Sequence, residues 1–313
     1  MIESQTIFKN SGIHCLVTPC SARKAKLSGV GLRCSDLGPG TLEEVAESWQ
    51  AVLRATEHEL MPARHLYLGT SVQRVVRVGR HLNRPVWIMS AGLGLISAEE
   101  RIPAYDLTLS PRAPDALQGR VKGEFDPTQW WESVQSGPFA APVSALATDA
   151  SDNGRILVAL TRPYGLMVGK GLASLPESIR TMLRIFGAGI RSVLPESLQS
   201  QVVDFDERLD QLVPGIKLDG ATRALEYFVS LIRGRPTTGI VEDQALLDEA
   251  LSRVQRLPHI VRSKVSDDDL RSLVAPWHQE GLSFSQALRR LRDQRMLSCE
   301  EKRFRRIYQE IPG

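Results

Sequence analysis

Five short apolar runs constrain this chain most: I-H-C-L-V-T (13–18), R-P-V-W-I-M-S-A (84–91), G-R-I-L-V-A-L-T (154–161), L-R-I-F-G-A-G-I (183–190) and Q-V-V-D-F-D (201–206). Around them lie segments with helical apolar spacing, at 41–55, 70–82 and 221–232. Continuous apolar strands alternating with amphipathic helices predict an α/β domain, a parallel sheet sandwiched by helices, over residues 1–234. Thr41 is the expected N-cap of the first helix, with Glu44 closing a capping box. The cluster R-G-R-P-T-T-G (233–239) breaks the pattern, and no strand signal lies beyond it. Residues 240–313 read as short helices, a small all-α C-terminal domain.

The bulk composition fits a soluble chain: of 313 residues, 42% are hydrophobic and 24% charged. No apolar run approaches the roughly 18 residues that span a bilayer, so no membrane partner is expected. The N-terminal M-I-E-S-Q-T-I-F-K-N lacks the basic-then-apolar order of a signal peptide. Four cysteines, Cys15, Cys20, Cys34 and Cys299, match neither a disulfide framework nor a common zinc spacing. The expected compartment is a reducing cytoplasm, and no metal or cofactor is expected.

Ligands of open parallel sheets bind at the carboxyl ends of the strands. Three such ends carry hydroxyls, glycines and cations: P-C-S-A-R-K (19–24), S-A-G-L-G-L-I (90–96) and T-R-P-Y-G (161–165). Gathered at one edge, they suit an anionic ligand such as a nucleotide. Cys20, Ser21, Arg23, Lys24, Ser90, Gly92, Gly94 and Arg162 are the candidates. Gly92 and Gly94 suit a tight turn as well, and Cys20 suits a buried small hydrophobe. Phosphatase chemistry is disfavoured, because Lys26 stands where its phosphate loop needs arginine. No Walker loop, G-x-S-x-G elbow or H-E-x-x-H is present.

Two further stretches extend the pattern: M-P-A-R-H-L-Y-L-G-T (61–70) and W-I-M-S-A-G-L-G-L-I-S-A-E-E-R-I-P-A-Y-D-L-T-L (87–109). With C-S-A-R-K they resemble a bacterial and archaeal family that reads C-S-x-x-K, P-A-R-x-L-Y-x-G, I-L-S-A-x-x-G-L and I-x-P-Y-D-x-x-L in order. That family is similar to the base-binding domain accompanying tRNA-guanine transglycosylase and archaeosine enzymes, and more distantly to the uracil-DNA-glycosylase fold. Its members occur beside DNA-modification and phage-defence genes. The resemblance covers about the first 110 residues. It implies a nucleobase pocket, with N-glycosidic cleavage of a modified base in DNA as the expected activity. This chain departs from the pattern with Arg23 in place of lysine and with Gly-Leu-Gly at 92–94.

Glycosidic hydrolysis needs a carboxylate beside an oxocarbenium-like sugar, and a base in duplex DNA must first be flipped out. Asp106 is the first candidate catalytic residue and Glu100 the second, although Glu99 and Glu100 also suit a helix start. Tyr67 and Tyr105 offer stacking faces. Arg64 joins the site or pairs with a carboxylate. Two other chemistries compete: a Schiff base on Lys24, and base exchange of the transglycosylase type. A non-catalytic module that binds a modified base or nucleotide is the alternative to an enzyme.

Residues 283–306 hold eight Lys/Arg against three acids, in a chain whose net charge is only +3. Arg289, Arg290, Arg305 and Arg306 are the expected DNA contacts of a helix-turn-helix-like element. A solvated charged face is the plainer alternative.

Overall fold

The computed structural model describes residues 12–25, 32–55, 59–111, 113, 115–148, 154–233, 235, 238–256 and 262–311. The chain divides into two compact units, residues 1–255 and 256–313.

The first unit is built on a five-stranded, mostly parallel sheet. Its strands are β1 (Ile13–Pro19), β2 (Val86–Ser90), β3 (Gly94–Ser97), β4 (Arg155–Ala159) and β5 (Leu183–Phe186), in the order β3-β2-β1-β4-β5. β1 pairs in parallel with both β2 and β4, and β4 with β5. The fifth strand is not Q-V-V-D-F-D, which contributes only an isolated bridge from Val202 to Ile185. It is β3, which turns back antiparallel on β2 with Ser90 opposite Gly94. The sheet is therefore mixed at this edge, where a parallel sheet was expected.

β4 and β5 are buried throughout and β1 at six of its seven positions. Strands buried on both faces need helices on both. Helices α1 (Leu42–Ala55), α3 (Pro127–Gln135) and α4 (Arg162–Ala173) pack together as one group. Helices α2 (Thr70–Leu82) and α5 (Gly220–Ile232) pack together as another, against β1, β2, β4 and β5. The expected capping box starts α1: Glu44 N–H donates to Thr41 Oγ1 at 3.2 Å, and Thr41 N–H to Glu44 Oε2 at 2.8 Å.

Helix α6 (Ile240–Ser252) belongs to this unit, so the division falls at 255 and not at 234–240. It is fixed from inside. Asp243 is 1% exposed and receives two hydrogen bonds from Arg155 and one from Arg184, guanidinium groups on neighbouring strands that are themselves buried. Burial alone would raise the Asp243 carboxyl, but the two guanidinium groups hold it below its ordinary range.

The second unit consists of β6 (Ser263–Lys264), α7 (Asp267–Gln279), α8 (Phe284–Arg289, continued by a π turn over Arg290–Gln294), β7 (Leu297–Ser298) and α9 (Glu301–Glu310). Its core is separate from that of the first unit and includes Leu270, Val274, Trp277, Leu291, Phe304 and Ile307. A two-residue parallel pairing of β6 with β7 means that it is not all-α.

Candidate functional site at the sheet's carboxyl edge

The strand order reverses at β1. The chain builds outward through β2 and β3, then crosses to β4 and β5 on the other side. In open α/β sheets the crevice at such a switch point is where ligands bind. Here Cys20 comes directly after β1, and Tyr164 lies in the first turn of α4, just after β4. Cys20 Sγ and Tyr164 Oη meet across the switch point at 3.0 Å.

Behind this contact is a closed set of hydroxyls. Tyr105 Oη lies 2.8 Å from Tyr67 Oη and 2.7 Å from Ser90 Oγ, and Tyr67 Oη donates to Ser90 Oγ at 3.2 Å. Ser90 Oγ also accepts the Leu93 and Gly92 N–H groups. The next carbonyls of this loop are held by buried indoles: Trp130 Nε1 donates to Ala91 O and Trp49 Nε1 to Gly92 O, both at 2.7 Å. These polar groups of the turn are thereby paired without water.

Burial pushes the Tyr67, Tyr105 and Tyr164 phenols well above their ordinary value, and the charge of a nearby Cys20 thiolate would push further. All three are neutral donors at ordinary pH. Tyr67 and Tyr105 were expected to offer stacking faces. Both rings are instead buried, Tyr105 edge-on to Trp49 and to Tyr67 at 6.0 and 6.5 Å. With Ser90 they form the wall of the site and not its surface.

The C-S-A-R-K turn is laced to P-A-R-H-L-Y-L-G. Ser21 Oγ donates to Arg23 O and accepts Gly69 N–H, Leu68 N–H donates to Arg23 O, and Ala25 N–H to Leu66 O. Ser21 is thus a turn residue. Arg23 is exposed. Lys24 is half-buried, with its ammonium 4.5 Å from the centre of the Tyr105 ring, a cation–π contact.

The remaining candidates lie elsewhere or do other work. Gly92 passes so close to Tyr105 that a Cβ would meet Cε2 at 2.6 Å. Gly94 has φ of +78° and opens β3. Both are turn and packing glycines. Arg64 pairs with Glu99, and Arg162 turns away to Gly189 O and Ser192 Oγ. Asp106 and Glu100 are exposed. Strand alternation sends Asp106 outward where Tyr105 points in, and neither carboxylate joins the hydroxyl cluster. Among the described residues, no group of three His, Cys, Asp or Glu side chains could hold a metal ion.

Tyr164 is the site residue that sequence reasoning misses. In T-R-P-Y-G the neighbouring Arg162 is the more obvious anion ligand. The informative signal is the place of Tyr164, just after the strand that lies beside β1.

In the second unit most of the expected DNA contacts are occupied within the unit. Arg290 pairs with Glu280 at 2.7 Å and covers Trp277, Arg305 pairs with Glu301 and covers Phe284, and Arg306 pairs with Asp267 at 2.7 Å. The hydrogen bond from Arg303, with Arg306 beside it, holds the Asp267 carboxyl low. Arg289 alone of the four is exposed with no ion pair among the described residues.

No described helix is long and apolar enough to cross a membrane. No protein-family model matches this chain, and no curated protein or solved structure does so either.

Proposed function

We propose that the first unit binds a nucleobase-bearing ligand at the carboxyl edge of its sheet, beside the Cys20–Tyr164 contact. One observation carries this reading: four sequence blocks spread over about 85 residues deliver Cys20, Tyr67, Ser90 and Tyr105 to one hydrogen-bonded cluster next to the switch point. Such convergence is costly to build for packing alone, since each buried hydroxyl must find a partner. The cations of this turn, Lys24 and Arg23, form no ion pair among the described residues and suit the phosphate of a nucleotide. Calorimetric titration with free bases, nucleosides and nucleotides tests it. Nucleotides should bind more tightly than nucleosides, and Lys24→Gln should weaken them by about tenfold, ~1.4 kcal/mol. Equal affinity for nucleosides and nucleotides in the native protein would sink the assignment of Lys24, and no binding by any of them would sink the site.

A second reading adds catalysis: excision of a modified base from DNA. It follows from the family resemblance, in which Asp106, the solvent-exposed carboxylate after Tyr105, is the candidate acid. A base seated against the Cys20–Tyr164 edge would leave its sugar toward solvent, where such an acid can stabilise an oxocarbenium ion. Mass spectrometry of bases released from hypermodified phage DNA tests this, with Asp106→Ala expected to abolish release. Intact bases after incubation with native protein would remove the catalytic reading and leave the binding one standing.

A further inference from the structure

We propose that the first unit carries a second ligand site, a cleft between α1 and α3 that takes a small amino-acid zwitterion by its ammonium and carboxylate ends. The site is separate from the carboxyl edge of the sheet. Trp49 and Trp130 carry the inward faces of the same two helices to the Gly92 and Ala91 carbonyls, whereas Glu43, Glu47 and Arg54 are exposed.

The cleft holds about 300 Å³ and is lined by Glu43, Glu47, Gln50 and Arg54 of α1, by Ser133 of α3 and by Ser136 just after it. That volume suits a small ligand. The four α1 residues recur at intervals of four, three and four, which places them on one helix face. Gln50 is the deepest of them, at 5% exposed. Its Nε2 donates to Ser133 O at 3.1 Å, which fixes the orientation of the amide. Gly137 packs so closely on that amide that a Cβ there would meet Nε2 and Oε1 at 2.9 Å. The Gln50 Oε1 is left buried with no hydrogen-bond partner. An unpaired buried acceptor is costly, so this one points to a donor supplied from outside the chain.

The other groups around it ask for the same thing. Ser133 Oγ donates to Gln129 O at 3.0 Å and Ser136 Oγ to Ser133 O at 2.7 Å, so both hydroxyls have their protons engaged and offer lone pairs. Glu43 and Glu47 form no ion pair among the described residues. The dipole of α1 accounts for an acid at 43 and a base at 54. It does not account for Glu47, a second carboxylate one turn from the first, where like charges repel. An ammonium group answers each feature, with three N–H donors, no acceptor and a positive charge. Arg54, also without an ion pair among the described residues, lies one turn beyond Gln50, about 6 Å along the helix axis. It is the partner for a carboxylate at the far end of the same ligand. A dication would meet Arg54 there, and a dianion would meet the two glutamates.

The probe is γ-aminobutyrate, whose charges stand about one helical turn apart, followed by ligand-observed NMR on the native full-length protein. It should bind saturably, propylamine more weakly and butyrate not at all. Gln50→Leu should weaken γ-aminobutyrate by about tenfold or more, because a hydrogen bond to a charged group is lost. Glu47→Gln should weaken both amines. Arg54→Gln should weaken γ-aminobutyrate by about fivefold while leaving propylamine within about twofold. Positions 47 and 54 are exposed, so those two variants decide the matter if Gln50→Leu does not fold. No saturable binding would show that water alone meets Oε1 and would overturn the proposal. Butyrate binding as well as γ-aminobutyrate, or unchanged affinity in Glu47→Gln and Arg54→Gln, would overturn it too. None of these results bears on the nucleotide titration at the sheet edge, which stands or falls separately.

Discussion

At the scale of single residues, the site's rigidity comes from side chains that touch no ligand. Gly92 is the sharpest case. Its φ is ordinary, so any residue could adopt the backbone, but the Tyr105 ring occupies the place of a Cβ. Gly92→Ala should cost about 1–3 kcal/mol in urea unfolding, the usual range for overpacking a tight core. Removing the Tyr105 hydroxyl takes one buried hydrogen bond from each of two partners, Tyr67 and Ser90, which keep the bond between them. Tyr105→Phe should therefore cost about 1–3 kcal/mol as well. The three buried phenols also fix an alkaline limit. Because folding raises their ionisation above the ordinary 10.0, the native state holds protons that the unfolded chain gives up. Their contribution is fully present below pH 10 and is lost as pH rises beyond it. An ultraviolet titration should show Tyr67, Tyr105 and Tyr164 ionising only as the fold melts. Reversible ionisation of any of these three in the folded protein would show that the cluster is open to water.

At the scale of elements, how much a sequence reveals depends on how local the cause is. The Thr41–Glu44 box is a contact across three residues, and it was legible with its partners and direction. Thr41→Ala should cost about 0.5–2 kcal/mol in thermal or urea unfolding, and Glu44→Ala a smaller amount. β3 was hidden because it opens on a glycine at positive φ, which reads as a turn. Q-V-V-D-F-D has strand composition, but its ladder stops at once. Ile185 N–H donates to Gln201 O and Val203 N–H to Ile185 O, then Asp204 N–H goes to the Gln244 side chain on α6. Composition sets which partners a segment can pair with, and the neighbour available in three dimensions decides whether it does. The site divides along the same line. Cys20, Tyr67, Ser90 and Tyr105 were legible because they fall in the four sequence blocks that stand out by composition and order. Their roles were not, because whether a tyrosine offers its ring or buries it depends on Trp49, Trp130 and Gly92, which no local pattern ties to it.

At the scale of the whole chain, the boundary between the units is an electrostatic matter. Composition breaks at 233–239, and a cut there looks harmless because residues 240–255 read as a polar helix. Asp243 makes it otherwise. Arg155 and Arg184 are 1% and 3% exposed at the start of β4 and within β5, and Asp243 from α6 is the carboxylate that both of them bond. Buried charge without its partner destabilises by about 3–5 kcal/mol, a large share of the ~5–15 kcal/mol that holds a domain folded. A chain ending at Ile232 should therefore unfold at much lower urea concentration than one ending at Gln255, and the latter should keep the stability of the first unit. Asp243→Asn in the full chain separates charge from lost helix packing. It keeps the shape and some hydrogen bonds yet removes the compensating charge, so it should reproduce most of the loss. If the two truncated chains unfold alike, or Asp243→Asn is neutral, then α6 is held by its apolar face, Leu247 and Leu251, and the buried ion cluster contributes specificity without stability.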